Sequence, residues 1–176
     1  MTDTTITKRY TYGAADSECR YPVLLPDGRF IGLVFRWHRA WYAIPAGTET
    51  EIRVSAGAIG KDTSAEYLRE EFDAGRITPT PEAPESANGA ERDGTPPPLL
   101  HPRMDKPHNR TVALAVIQRL WELNWTALGG YPGSDNPWML RCERCGWVGM
   151  KYWSHLRGRK GNPPSAFRHP GCTGRG

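Results

Sequence analysis

Long apolar stretches are missing from this 176-residue chain. No run approaches the roughly 20 residues that a membrane-crossing helix needs. The opening Met1-Thr2-Asp3-Thr4-Thr5 lacks the apolar core of a secretion signal. The expected location is therefore the reducing cytoplasm, with no membrane partner. Cysteine is also scarce, at 4 residues, and in a reducing compartment thiols serve metals more often than disulfides. A glycine-rich phosphate loop, a serine-nucleophile motif and a paired-carboxylate site are all missing. Catalysis and a small-molecule substrate are accordingly not expected. Acidic side chains are nearly absent from residues 138–176, where Glu143 stands alone against 8 basic residues.

Three of the four cysteines fall in the last third of the chain, which reads Cys142-x2-Cys145, a gap of 23 residues, then His169-x2-Cys172. Two short ligand pairs separated by enough chain to fold back on itself is how a tetrahedral zinc site is built. The expected metal ligands are Cys142, Cys145, His169 and Cys172, with zinc as cofactor. His155 lies between the pairs and ranks second to His169, because it lacks a partner at the x2 spacing. Gly146 follows the second cysteine, where such a knuckle needs a positive φ. Cys19 has no partner nearby and reads as a free, part-buried thiol.

The run Trp125…Gly130-Tyr131-Pro132-Gly133-Ser134…Pro137-Trp138…Arg141-Cys142-Glu143-Arg144-Cys145-Gly146, closing on His169-Pro170-Gly171-Cys172, resembles a family of treble-clef zinc fingers. That family occurs in bacterial and phage proteins, often beside nuclease domains. The resemblance implies a zinc module and an accessory or regulatory role in a phage or mobile element. A treble clef continues from its last ligand into a helix, whereas Thr173 to Gly176 is all that follows here, so a zinc-ribbon-like module is the other expectation. Nucleases built on this finger need a catalytic histidine and a further metal ligand on the following helix. His155 has no such follower.

Charge is segregated. Residues 1–100 carry 11 basic and 15 acidic side chains, while 138–176 carry 8 and 1, a net of +7. A basic surface around a rigid metal site is the footprint of nucleic-acid binding. The candidate contacts are Arg141, Arg144, Lys151, Arg157, Arg159, Lys160 and Arg168. Trp147, Tyr152 and Trp153 interleave with them as candidates for base stacking. The expected partner is nucleic acid, DNA ahead of RNA. The alternative is a zinc-stabilised adaptor whose tryptophans dock on a host or viral protein.

The expected fold class is α+β. Residues 1–19 read as a flexible arm. A small antiparallel meander plus helix spans 20–76: strands at Tyr21–Leu25, Arg29–Trp37, Ala40–Ile44 and Glu51–Ser55, then a helix capped by Asp62, Thr63 or Ser64, running to Phe72 and stopped at Gly75. This part resembles the N-terminal strand-strand-strand-helix domains of phage-type integrases at Trp41-Tyr42-Ala43 and at Thr63 leading into Ala65, Tyr67 and Leu68. The resemblance implies a sheet laid on DNA, with Arg29, Arg36, Arg39 and Arg53 on one face. The acidic helix (Glu66, Glu70, Glu71, Asp73) opposes it, and a stabilising domain is the plainer expectation. Residues 77–108 hold 8 prolines and read as a disordered linker. Residues 109–176 form a helix packed on the zinc module. The helix is expected over Arg110–Leu128, ended by Gly129-Gly130, with Trp121 and Trp125 covering the metal hairpin.

Overall fold

The computed structural model describes residues 9–83, 96–158, 161, 169, 171 and 172. The first eight residues, the centre of the proline-rich stretch (84–95), and Arg159, Lys160 and Arg168 lie outside the described residues. The chain is mixed α+β, with a five-stranded and a three-stranded antiparallel sheet. It divides into two compact units. Unit 1 comprises residues 1–15 and 20–84; unit 2 comprises 16–19 and 85–176.

Unit 1 is a meander in sequence order: β1 (Thr11–Tyr12), β2 (Tyr21–Leu24), β3 (Phe30–Trp37), β4 (Ala40–Pro45) and β5 (Ile52–Ala56), each paired antiparallel with the next. The strands fall where β-branched and aromatic residues cluster between turn residues. The sequence reading placed β1 inside a flexible arm. Its two residues pair with Leu24 and Val23, and Tyr10 is buried beside it. Two residues are too few to show alternation, and the register is set by the pairing with β2. The β3–β4 connection is a two-residue turn at His38 and Arg39, with φ of 45° and 68°. Such a turn normally takes Asn-Gly.

Helix α1 (Gly60–Asp73) packs on β3, β4 and β5. It starts before the expected caps. Its N-cap is Ile59, without a side-chain cap, and Asp62 instead sits in the first turn, where a carboxylate favours the helix dipole. The Tyr12 hydroxyl donates to that carboxylate at 2.8 Å. Gly75 ends the helix as expected, donating to Phe72 O while Arg76 N–H reaches back to Glu71 O, a pair of bonds that absorbs two orphan carbonyls. Ala65 and Leu68 are fully buried. Leu68 lies so close over β3 that a Cβ at Gly32 would fall 2.9 Å from its Cδ1 and 2.5 Å from Ile44 O. The acidic outer face is tied down, with Arg9 on Glu66 and Asp73 and Arg76 bidentate on Glu71.

The ends of the proline-rich stretch belong to the folded units. Ile77 is buried in the core of unit 1, and Thr80 exchanges backbone hydrogen bonds with Phe30. In unit 2, Leu100 bridges Tyr131 and a 3-10 turn covers Pro102–Met104. Pro102 and Pro107 there sit at helix-start positions that need no amide donor.

Unit 2 contains α2 (Pro107–Glu122), β6 (Trp125–Ala127), β7 (Trp138–Cys142), β8 (Val148–Lys151) and the short α3 (Trp153–Leu156). The sheet order is β6-β7-β8. The expected single helix to Leu128 is therefore corrected. It stops at Glu122, and Asn124 takes the left-handed conformation, φ 57°. Asn reaches that region more readily than most residues, and it terminates helices for that reason. Trp125 and Ala127 then alternate inward as strand residues, with Thr126 between them half-buried. Ala113, Val116 and Leu120 of α2 join Trp125, Trp138, Leu140 and Trp153 in one core. The segment Asp16–Cys19 also belongs to unit 2, and Cys19 is 2 % exposed rather than part-buried. Burial is the largest influence on its thiol and pushes its pKa up, which keeps it protonated and inert.

Leu68 is the residue on which α1 seats. Leu68→Ala should cost roughly 2–5 kcal/mol, measured by urea unfolding followed by circular dichroism. A loss below about 1 kcal/mol would show that α1 is not held by this contact.

Candidate metal centre

The centre is assembled from two turns. β7 delivers Cys142, paired with Trp125 on β6. Its amide donates to Trp147 O at 2.8 Å, and its carbonyl accepts from Gly146 N–H at 2.8 Å and from Cys145 N–H at 3.4 Å. This folds Cys-x2-Cys-Gly into a knuckle, with Gly146 at φ 74° as the sequence predicts. The second pair repeats the device: Cys172 N–H donates to His169 O at 3.3 Å, and Gly171 takes φ 76°.

The two turns meet. One donor atom from each of Cys142, Cys145, His169 and Cys172 lies within 4.8 Å of every other. Cys142 Sγ and Cys172 Sγ are 3.9 Å apart, and Cys145 Sγ is 3.1 Å from His169 Nε2. A tetrahedral ion with bonds of ~2.3 Å to sulfur would set each S–S edge at roughly 3.8 Å. The donor set and its spacing fit one metal ion. His155, the second-ranked ligand, is outside this cluster, exposed and tilted against Tyr152 at 5.2 Å.

Cys142 and His169 are buried and Cys145 is exposed, so the site is open to solvent on one side. The Trp147 amide donates to the Cys145 sulfur and favours its thiolate. Desolvation and the neighbouring Cys142 and Cys172 thiols outweigh that and push the Cys145 pKa up. Three thiols this close resist ionising together, and a bound cation reverses the preference.

The basic and aromatic candidates separate by environment. Arg144 and Arg157 are exposed. Arg141 donates to Glu143 at 2.9 Å, and the Thr126 hydroxyl, followed by Arg141, holds the Glu143 carboxyl below its usual pKa. The Lys151 ammonium lies 5.2 Å from the ring centre of Trp147 and 5.9 Å from that of Trp125. Trp153 is a correction: it is 6 % exposed and part of the core, so it offers no face to a base. Trp147 is half-buried, with its ring stacked on His169. Tyr152 alone of the three aromatics keeps a partly exposed ring outside the core. On α2, Trp121 is 66 % exposed and does not cover the metal hairpin, whereas Trp125 is 1 % exposed and does. That difference follows from the strand register of Trp125, which a helical reading could not supply.

Comparison with protein-family models, with curated proteins and with solved structures finds no match to this chain. Among the described residues, no helix is long and apolar enough to cross a membrane.

Protein purified without chelator should carry one metal ion per chain by elemental analysis; a ratio near zero would refute the site. Cys142→Ser or Cys172→Ser should release the ion and unfold the β6–β8 sheet, because removing a structural ligand removes folding free energy directly. His169→Ala should lose metal and His155→Ala should retain it. The reverse pattern would reassign the fourth ligand.

Proposed function

We propose that this protein is a structural zinc protein that holds nucleic acid, DNA ahead of RNA, on the basic surface of its metal module. Three thiolates and an imidazole are the donor set that zinc favours, and four such donors fill a tetrahedron, leaving no open position for hydrolytic chemistry. The module is therefore read as non-catalytic. An accessory or regulatory role in a phage or mobile element follows from the treble-clef resemblance.

The observation that carries the nucleic-acid reading is charge placement. Residues 138–176 hold 8 basic side chains against Glu143, and of these Arg144 and Arg157 stand exposed on the metal module. Arg144 lies inside the knuckle itself, between two ligands, so its backbone is fixed by the metal. Guanidinium groups on a rigid base meet phosphate oxygens with little ordering cost. Arg141 and Lys151 are engaged within the module and serve this role less well. Tyr152 is the remaining aromatic for stacking on a single strand.

A second reading has an observation of its own. Leu114 and Trp121, seven residues apart on α2, are 61 % and 66 % exposed. An outward tryptophan two helical turns from an outward leucine suits an adaptor that docks on a protein.

Salt separates the two. If about four phosphates are neutralised, the logarithm of affinity should fall against the logarithm of salt with a slope of roughly −3 to −4. Arg144→Ala with Arg157→Ala should flatten that slope by about 2 and leave zinc content unchanged. A gel shift with mixed DNA and RNA pools at several salt concentrations makes the measurement. A parent protein that binds neither at low salt, or a double variant that binds as the parent does, would transfer the case to the adaptor.

A further inference from the structure

His169 is the one imidazole among the four candidate ligands. It lies outside every helix and strand of the described residues, yet it is 2 % exposed. Its imidazole is parallel to the Trp147 indole, with centroids 4.5 Å apart and planes 9° from each other. Trp125 meets both rings edge-on, at 6.1 Å and 68° to His169 and 6.1 Å and 76° to Trp147. The Trp147 indole in turn rests on β8. A Cβ at Gly149 would fall 2.3 Å from its Cη2 and 2.4 Å from its Cζ2. Such a distance is well inside van der Waals contact, so the indole occupies the volume that any other residue at 149 would fill.

We propose that Trp147, seated on Gly149 and edged by Trp125, is a positioning residue for the metal: it fixes the His169 imidazole with Nε2 turned toward Cys145 Sγ, so that metal affinity depends on the indole. The proposal rests on the metal reading above. A histidine outside regular secondary structure loses side-chain freedom when it coordinates. Stacking removes that freedom beforehand, and groups that orient a ligand in this way typically change metal affinity by ~10–100-fold. The same geometry gives Trp147 its place directly after the knuckle glycine: one residue later the side chain would leave the opposite face of the strand.

The test is competition of the full chain against a chromophoric zinc chelator. Trp147→Ala should bind zinc ~10–100-fold more weakly, while Trp147→Phe, which keeps a ring to stack, should stay within about threefold of the parent. Gly149→Ala keeps all four ligands and the indole but displaces the ring, and should weaken binding by ~10-fold. A positioning role acts through His169. In a double-mutant cycle the Trp147→Ala effect should therefore vanish in the His169→Cys background, which keeps a fourth ligand but no ring to stack, whereas a loss from core packing alone would persist there. The visible absorption of the cobalt-loaded protein should keep its thiolate bands in every Trp147 and Gly149 variant. Parent-like zinc affinity in Trp147→Ala or Gly149→Ala, or an effect that survives without His169, would overturn the proposal. If Trp147→Ala does not fold, Gly149→Ala and Trp147→Phe still decide it. A parent that takes up no zinc would overturn the metal reading itself, an outcome distinct from tight parental binding that Trp147 does not influence.

Discussion

Three thiols and one imidazole converge within 4.8 Å, and the proposed metal site makes that convergence the constraint on which unit 2 depends. Without a cation such a cluster is unfavourable: thiolates repel, and neutral thiols are weak hydrogen-bonding groups that contribute little in return. Around a divalent ion each ligand becomes an attachment point. The consequences spread outward along the chain. The knuckle fixes the end of β7, and β7 sets the register of β6 and β8. Trp125 and Trp138 then have a sheet to pack on and α2 a surface to cover. Three strands of five residues or fewer bury too little by themselves to hold such an arrangement.

Legibility followed the range of the interaction. The ligand turns were readable because each is closed by hydrogen bonds three or four residues apart, and the requirement for glycine at 146 is equally local. The hairpins of unit 1 were readable for the same reason, from Pro26-Asp27-Gly28 and from the clustering of β-branched and aromatic residues. What escaped depends on partners far along the chain. β1 is two residues, too few to show alternation, that become a strand beside β2. Trp125 was assigned to a helix because the apolar positions from Val112 to Leu128 suit a helical face, and only the left-handed Asn124 breaks that run. Trp153 was offered to nucleic acid because a tryptophan among basic residues looks the same whether its ring points outward or into a core. The ends of the proline-rich stretch read as linker by composition, yet single side chains such as Ile77 and Leu100 anchor them.

Aromatic residues in unit 2 are divided between two tasks. Trp138 and Trp153 are core; the Trp138 indole donates to Gly129 O at 2.8 Å, so its one polar atom is satisfied while buried. Trp125 and Trp147 both contact the candidate ligand His169 and carry the Lys151 ammonium near their rings, a contact worth roughly 0.5–1 kcal/mol where solvent has access. The positive charge of the module is thus partly absorbed by its own structure, while Arg144 and Arg157 remain exposed.

Unit 2 is discontinuous in sequence. Cys19 lies among residues counted with it, its thiol accepting from the Met139 backbone, and Ser17 O stands where a side chain on Gly129 would otherwise go. A fragment beginning in the proline-rich stretch would keep every metal ligand and still lack this plug, leaving part of β7 and the Gly129 turn uncovered. In a growing chain the same four residues emerge long before the strand they cover. Completion of the metal module therefore draws on chain made more than a hundred residues earlier, and the natural unit of folding is wider than the zinc motif that marks it.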